Sequence, residues 1–191
     1  MSDSGTTDPT DRPGDRAADQ PVVHRVEGNF LEDFHVGDVY QHPLGRTITE
    51  VDNSWFTLLT MNTNQLHFNA DFAEASPHGR LLVNSGLSVA MVLGISVSDI
   101  SQNAIANLGW TDIELRNPLF VGDTLYAESL ITATRESTSR PEAGIVSCLT
   151  RGLNQDGLEI LRFNRSVMVW RRAEADRALR FPTTATPLAP D

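Results

Sequence analysis

The feature that most constrains the fold is the run from Leu81 to Val97, which is apolar on nearly every side. A helix of that composition is covered by other parts of the protein over most of its surface. We therefore predict one buried helix over this run. Gly86 and Gly94 lower its helix propensity, and we expect them to let the helix backbone approach a sheet closely.

After residue 100 the hydrophobic pattern changes to a period of two, which is typical of β-strands. Short turns separate the alternating segments, and consecutive strands joined in this way form antiparallel sheets. One face of the last strand is expected to carry Leu161, Phe163, Val167 and Val169. The predicted strands are Ala104 to Arg116, Asp123 to Glu136, Gly144 to Asn154 and Gly157 to Arg171.

The segment before the apolar run predicts smaller elements. Asp52 is expected to be the N-cap of a helix that begins near Asn53 and ends near Asn62. The apolar stripe of this helix consists of Trp55, Leu58 and Leu59. Upstream, Phe30, Phe34 and Val36 are expected to anchor the entry to the fold, followed by a short extended run at Val39 to His42 and a strand at Arg46 to Val51. Downstream, a helical turn is expected at Ala70 to Ala75.

These elements predict an α+β architecture, because a helix that is apolar on most sides must be wrapped by the sheet that follows it. The expected fold is a curved antiparallel sheet around one central helix. Such a sheet leaves an edge and an outer face that need cover. We therefore expect a homodimer or a dimer of dimers.

Length and charge set the domain organisation and exclude some partners. The 191 residues carry a formal net charge of −10, which argues against nucleic acid as a partner. Residues 1–22 are rich in Asp, Thr, Pro and Gly and are predicted to be a disordered acidic tail. The folded domain is expected over residues 24–172, and residues 173–191 are expected to be a flexible C-terminal tail.

Several further classes of protein are not expected. The N-terminus lacks a positively charged, apolar leader, and the longest apolar run is too short and too interrupted for a bilayer span. We expect a cytoplasmic protein without a membrane partner. The single cysteine, Cys148, is expected to be a small core residue. No pair of His, Cys, Asp or Glu has metal-ligand spacing, so we predict no metal. The sequence also has no glycine-rich phosphate loop, and we predict no cofactor.

Two motifs resemble those of a known family. The first joins the polar loop Asn62-Thr63-Asn64-Gln65-Leu66-His67 to Val83-Asn84-Ser85-Gly86, and the second is Pro118-Leu119-Phe120-Val121-Gly122-Asp123. Together they resemble the MaoC-like dehydratases, or (R)-specific enoyl-CoA hydratases, over about Phe34 to Trp170. The resemblance implies the hotdog fold and an acyl-CoA thioester substrate.

Within that family, three segments are most similar to hydratases of branched dicarboxylic acyl-CoA esters, such as mesaconyl-CoA (β-methylmalyl-CoA) and itaconyl-CoA hydratases. They are Met61 to His67, Val83 to Leu87 and Ala104 to Trp110. Two departures stand out: Asn62 replaces the family's aspartate, and Gln65 replaces its proline. The first removes a carboxylate that would share in activating water.

The resemblance assigns roles in hydrating a conjugated thioester. This reaction needs a base for water, a proton for the α-carbon and stabilisation of the thioester oxygen. His67 is the expected acid–base group, and Asn62 is expected to orient the water through its amide oxygen. The N–H groups near Ser85 and Gly86, at the positive end of the helix dipole, form the expected oxyanion hole.

Other residues of the predicted site have structural alternatives. Asn64 and Asn84 are assigned to substrate binding, although Asn84 and Ser85 also suit plain N-capping and Asn62 suits a helix C-cap. Arg80 is expected to pair with the second carboxylate, the alternative being a solvated loop arginine. The arginines that hold the CoA phosphates stay open among Arg116, Arg135, Arg140 and Arg165.

Two other functions remain open. A hotdog thioesterase would need a carboxylate at the thioester carbon, for which Asp71 and Glu74 are the nearby candidates. A non-catalytic subunit of a heteromeric dehydratase would explain the replacement of the family's aspartate by Asn62.

Overall fold

The computed structural model describes residues 23–186 and residue 188. The predicted tail over residues 1–22 lies outside the described residues. Glu27–Arg180 forms one compact unit. Within the predicted C-terminal tail, Ala175–Ala178 forms a short helix, α4.

The compact unit contains six strands and three further α-helices. The strands are β1 (Val39–Gln41), β2 (Arg46–Thr47), β3 (Ala104–Leu115), β4 (Thr124–Glu136), β5 (Ala143–Leu153) and β6 (Glu159–Trp170). The helices are α1 (Glu50–Leu59), α2 (Ala70–Glu74) and α3 (Ser85–Ile95). Short 3-10 turns occupy Leu31–Asp33, Gln65–His67 and Arg172–Glu174, and a π-helical turn occupies Val97–Ser101.

The strands form one antiparallel sheet with the order β1-β4-β5-β6-β3, and β2 pairs with β4 to one side. The sheet curves around α3, whose buried residues pack against Leu161 and Phe163 of β6. This is the hotdog fold, so the predicted architecture is confirmed. All four long strands begin and end within two residues of the predicted bounds. β3 forms one edge of the sheet.

α3 is shorter than the predicted run because tertiary hydrogen bonds claim the residues before it. Leu82 forms a β-bridge with Phe120, and the Val83 N–H donates to the Leu119 carbonyl at 2.8 Å. The helix therefore begins at Ser85, with Asn84 as its N-cap. The predicted inward face of β6 is confirmed, since Leu161, Phe163, Val167 and Val169 are fully buried, and Cys148 is also in the core.

The close approach of helix and sheet depends on a glycine of the sheet, not on Gly94. A Cβ atom at Gly152 of β5 would lie 2.5 Å from Cγ2 of Val92, whereas one at Gly94 would meet no atom within 4 Å. The expected role of Gly94 was therefore wrong. Gly86 does lie in a crowded place, because its Cβ would be 3.3 Å from the ring of Phe56.

α1 differs from the prediction at its start. Its N-cap is Thr49, and Asp52 occupies the third helical position of a capping box. The Asp52 N–H donates to Thr49 Oγ1 at 3.2 Å, and the Thr49 N–H donates to Asp52 Oδ2 at 2.9 Å. An acidic residue in the first turn of a helix is favoured by the helix dipole, and an acidic residue is also favoured at the N-cap. The sequence alone therefore does not decide which of these two positions Asp52 occupies.

The orientation of α1 was not anticipated either. Trp55 and Leu59 are 76% and 84% exposed, whereas Asn53 and Thr57 are fully buried. The predicted apolar stripe therefore faces outward in the single chain. The reason lies in the hydrogen bonds of Asn53, described below.

Two smaller expectations need correction. Phe30 and Phe34 are buried anchors, but Val36 is 63% exposed beside the turn at Gly37. The predicted strand from Arg46 to Val51 reaches only Thr47, because α1 begins at Glu50. Among the described residues, no helix is both long and apolar enough to cross a membrane.

We predict that Gly152→Ala lowers the free energy of unfolding by about 1–3 kcal/mol, because the stiff Val92 side chain cannot move away from the added methyl group. The matched control is Gly94→Ala, where space is open and alanine should raise stability by about 0.5–1 kcal/mol. Urea denaturation of both variants measures the difference. Equal effects would show that α3 does not depend on Gly152 for its position.

Candidate active site

The hydrogen bond of His67 fixes the tautomer of its imidazole ring. The residue ends the 3-10 turn Gln65–His67 and is 7% exposed. Its Nδ1 lies 2.9 Å from the carbonyl oxygen of Leu82. Because a carbonyl oxygen only accepts, Nδ1 carries the proton and the neutral ring keeps a lone pair on Nε2. A general base needs this tautomer.

The other ring nitrogen of His67, Nε2, is not fully enclosed by the described part of the chain. Nε2 makes no hydrogen bond within the described residues, and the fully buried side-chain atoms without a partner in that part of the chain are Ser98 Oγ and Asn103 Oδ1. Since Nε2 is not one of them, its lone pair is open to a small molecule such as water.

Asn53 of α1 fixes His67 beside the start of α3. Its Nδ2 donates to the carbonyl oxygens of His67 and Leu82, at 2.7 and 3.0 Å. Its Oδ1 accepts from the Asn84 N–H at 2.9 Å. One buried amide therefore joins the histidine loop, the segment before α3 and the N-cap of α3. The sequence analysis did not assign Asn53 to the site. The one feature that could have indicated its role is its position opposite the apolar stripe of α1.

The N-terminus of α3 offers two free amides, although not both of those expected. Asn84 Oδ1 accepts from the Gly86 N–H at 2.9 Å, and Asn84 Nδ2 donates to Thr57 Oγ1 at 3.1 Å. The cap thus occupies the amide of Gly86. The N–H groups of Ser85 and Leu87 have no acceptor within the described residues. They lie at the positive end of the helix dipole and can bind a negatively charged oxygen.

A cavity of about 280 Å³ adjoins this helix start. His67 does not line the cavity, but its hydrogen-bond partner Leu82 does. The walls are mainly apolar, with hydroxyl groups on the side of α3. Residues lining the cavity include Leu82, Ser85, Ser88, Leu115, Leu119 and Ile160.

The remaining predicted residues occupy structural positions near the site. The half-buried Asn62 closes a turn, with its Oδ1 accepting from the Asn64 N–H at 2.9 Å. Asn62 is not the C-cap of α1, since Thr60 holds that position. Asn64 is exposed and caps the 3-10 turn by accepting from the Leu66 N–H at 3.2 Å.

The arginines divide clearly by exposure. Arg80 is exposed and its guanidinium stacks 3.8 Å from the centroid of the Phe120 ring. Arg116 and Arg140 are half exposed, and Arg116 also lines the cavity. Arg165 is only 2% exposed.

Comparison with known proteins identifies relatives of this arrangement. A family model described as mesaconyl-CoA hydratase matches residues 8–179. The chain is 35% identical over 160 residues to a mesaconyl-CoA hydratase of Cereibacter sphaeroides, covering 84% of this chain and 46% of that protein. It is 35% identical over 164 residues to a beta-methylmalyl-CoA dehydratase of Chloroflexus aurantiacus, with 86% and 46% covered.

A solved structure agrees with these relatives. The crystal structure of a MaoC domain protein dehydratase from Chloroflexus aurantiacus superposes with a TM-score of 0.74 at 34% identity, covering 89% of this chain and 47% of that one. The chain therefore spans about half the length of the curated relatives it matches.

We predict that Asn53→Asp lowers the free energy of unfolding by about 2–4 kcal/mol, because a carboxylate keeps the shape but has no N–H for the two carbonyl oxygens. Asn64→Asp is the matched control, since Asn64 uses only its oxygen as an acceptor and a carboxylate still accepts. The control should stay within about 0.5 kcal/mol of the unchanged chain. Urea denaturation at neutral pH measures both, and an equally mild effect at residue 53 would contradict the bridging role.

Proposed function

Because the chain belongs to the mesaconyl-CoA hydratase family, we propose that it adds water to, or removes water from, the double bond of a short acyl-CoA. The proposed substrate class is the branched dicarboxylic ester, of the mesaconyl-CoA or itaconyl-CoA type. The observation that carries the proposal is the hydrogen bond from His67 Nδ1 to the Leu82 carbonyl. It leaves Nε2 as a base beside the start of α3.

The proposed reaction uses His67 twice. Nε2 takes a proton from water as the resulting hydroxide bonds to the β-carbon, and the electrons of the double bond move onto the thioester as an enolate. The imidazolium then returns its proton to the α-carbon, and the thioester carbonyl re-forms. Because one group delivers both parts of water from one side, addition is syn.

The enolate oxygen needs donors that are already in place. We assign this role to the start of α3, where the amides of Ser85 and Leu87 are free within the described residues and the amide of Gly86 is held by the cap. Removing one such donor typically costs about 10²–10³ in rate. Asn62 Oδ1 has a second lone pair besides the one used by Asn64 and is proposed to orient the attacking water. The proposed role of Asn84 is to cap α3 and so hold the N–H groups of Ser85 and Leu87 in place.

Exposure argues against the hydrolytic alternative. Asp71 and Glu74 of α2, the carboxylates that a thioesterase could use, are both exposed, whereas His67 is buried. Arg80 is also exposed, and a solvated guanidinium contributes little to binding one carboxylate. We therefore do not propose Arg80 as the partner of the second carboxylate.

The unpaired edge strand β3 supports the proposal that the chain associates with a second hotdog unit. This strand of 12 residues has no neighbour on its outer side within the described residues. Its exposed apolar side chains are Leu108, Trp110, Ile113 and Leu115. An unpaired apolar edge of that length is a template for another strand. We propose a homodimer in which β3 pairs with β3 of a second copy, and a dimer of such dimers would use other surfaces.

His67→Ala should lower turnover of mesaconyl-CoA by about 10²–10⁴-fold, because general acid–base catalysis contributes that much. The loss of the conjugated thioester absorbance measures hydration, with crotonyl-CoA as a second substrate. His35→Ala is the control, since His35 is exposed beside Asp38 and has no role in the proposed site. Near-normal turnover by the His67 variant would refute the assignment, and release of free CoA by the unchanged chain would favour a thioesterase.

Trp110→Lys should convert the proposed dimer into a monomer in sedimentation experiments, because a lysine at a sheet edge opposes strand pairing. Trp55→Lys is the matched control on the exposed stripe of α1. If the Trp55 variant dissociates and the Trp110 variant does not, the interface lies on α1 instead of β3.

A further inference from the structure

Arg165 of β6 is a buried cation held at the C-terminal end of α3. Its side chain is directed to Ser96, where Nη1 donates to Ser96 Oγ at 3.1 Å. Its Nε and Nη2 both donate to Oδ1 of Asn107, on β3, at 3.0 and 2.8 Å. These bonds use three of the five N–H groups of a guanidinium, so two remain for a ligand.

Within the described residues, Arg165 has no carboxylate as a counter-ion. It takes part in none of the ion pairs of that part of the chain, and its hydrogen-bond partners Asn107 and Ser96 are neutral. Burial raises the pKa of the neighbouring Cys148 thiol, so the thiol stays neutral as well. A buried charge without a partner costs several kcal/mol, and an anion from outside the chain would offset that cost.

A cavity of about 310 Å³ opens at Arg165. It lies between the end of α3 and the start of β3, and its lining is mostly apolar apart from Arg165, Asn107 and Ser101. An apolar passage with a guanidinium in its wall suits a short carbon chain that carries a terminal carboxylate. The apolar lining residues are Leu93, Val97, Ala104, Ile105 and Ala106.

Arg165 cannot serve the proposed active site of its own chain. That site lies at Ser85, whereas Arg165 binds Ser96 beyond the other end of α3. At about 1.5 Å per residue the two ends are roughly 16 Å apart. A five-carbon dicarboxylic acyl group spans only roughly 5 Å, at about 1.5 Å per bond.

The proposed β3 pairing brings the two cavities together from different chains. The cavity beside the start of α3 includes Leu115, at the end of β3, and the Arg165 cavity includes Ala104, at its beginning. A two-fold axis at the middle of β3 places Leu115 of one copy opposite Ala104 of the other, because paired strands run antiparallel. The same axis reverses the direction of α3. The helix start of one copy thus faces the helix end of the other.

We propose that Arg165 of the partner subunit binds the second carboxylate of the substrate whose thioester lies at the start of α3. The inference rests on the proposed function and on the proposed dimer, and it assigns the selectivity for dicarboxylic esters to a residue contributed in trans. Each active site is then incomplete without the second copy.

Asn107→Asp tests the charge of this site without removing the arginine. The new carboxylate is isosteric, keeps both hydrogen bonds and supplies an internal counter-ion for Arg165. We expect the ratio of kcat/KM for mesaconyl-CoA to that for crotonyl-CoA to fall about 10- to 100-fold, which corresponds to losing a charge-assisted hydrogen bond. Thermal stability should be retained or raised. An unchanged ratio would mean that Arg165 has only a structural role.

Arg165→Met should lower the same ratio, and dissociation constants for both esters provide a readout that does not depend on turnover. Arg162→Met is the matched control, because Arg162 lies on the same strand but pairs with Glu159. Arg80→Met tests the arginine that the sequence predicted to pair with the carboxylate. The inference is wrong if Arg80→Met lowers the ratio and Arg165→Met does not. It is also wrong if Arg165→Met weakens the binding of both esters by the same factor. A chain that binds mesaconyl-CoA selectively but hydrates neither ester would refute only the proposed reaction.

Mixed dimers test the contribution in trans. His67→Ala and Arg165→Met chains are combined by unfolding and refolding together. If Arg165 acts across the interface, one site of a mixed dimer combines His67 from one chain with Arg165 from the other, and mesaconyl-CoA turnover is partly restored. If Arg165 acts within its own chain, no site contains both residues and the mixture stays as inactive as the separate variants.

Discussion

The candidate site depends on the buried amide of Asn53, which satisfies three backbone groups at once. Leaving such groups unpaired costs about 1–3 kcal/mol each, whereas burying one large apolar side chain gains about 1.5–3 kcal/mol. The polar face of α1 therefore turns inward although Trp55 and Leu59 stay exposed. The same bonds hold the loop of His67 against the start of α3, so the fold of this region and the geometry of the base have one cause.

The sheet could be predicted from the sequence, because the alternation in β4 and β6 follows directly from one buried and one less buried face. The core of β6 and the burial of Cys148 follow from the same pattern. The start of α3 could not, since it is set by the bridge of Leu82 to Phe120, a contact between distant residues. The same holds for Gly152, which makes room for Val92; nothing in the local sequence links these two residues.

The candidate site was predictable to a similar degree. The sequence placed His67 near the start of α3, and the hydrogen bond to Leu82 is consistent with that placement. It could not indicate that the cap formed by Asn84 occupies the amide of Gly86, because an N-cap and an oxyanion hole compete for the same N–H groups. Asn53 stayed hidden for a related reason, since its partners are backbone groups, whose positions the residue types around them do not reveal.

A single hotdog unit leaves an open strand edge at β3 and, at the end of α3, a buried cation without a counter-ion among the described residues. In the proposed dimer both features would be relieved by the second unit, one through strand pairing and the other through the substrate that the pair would enclose. The curated relatives are about twice as long as the matched region, which is enough for a second unit within one polypeptide, and the proposed dimer would supply such a unit by symmetry. Symmetry makes both sites identical, so a residue such as Arg165 would serve the neighbouring site in each direction, and selectivity and assembly would depend on the same strand.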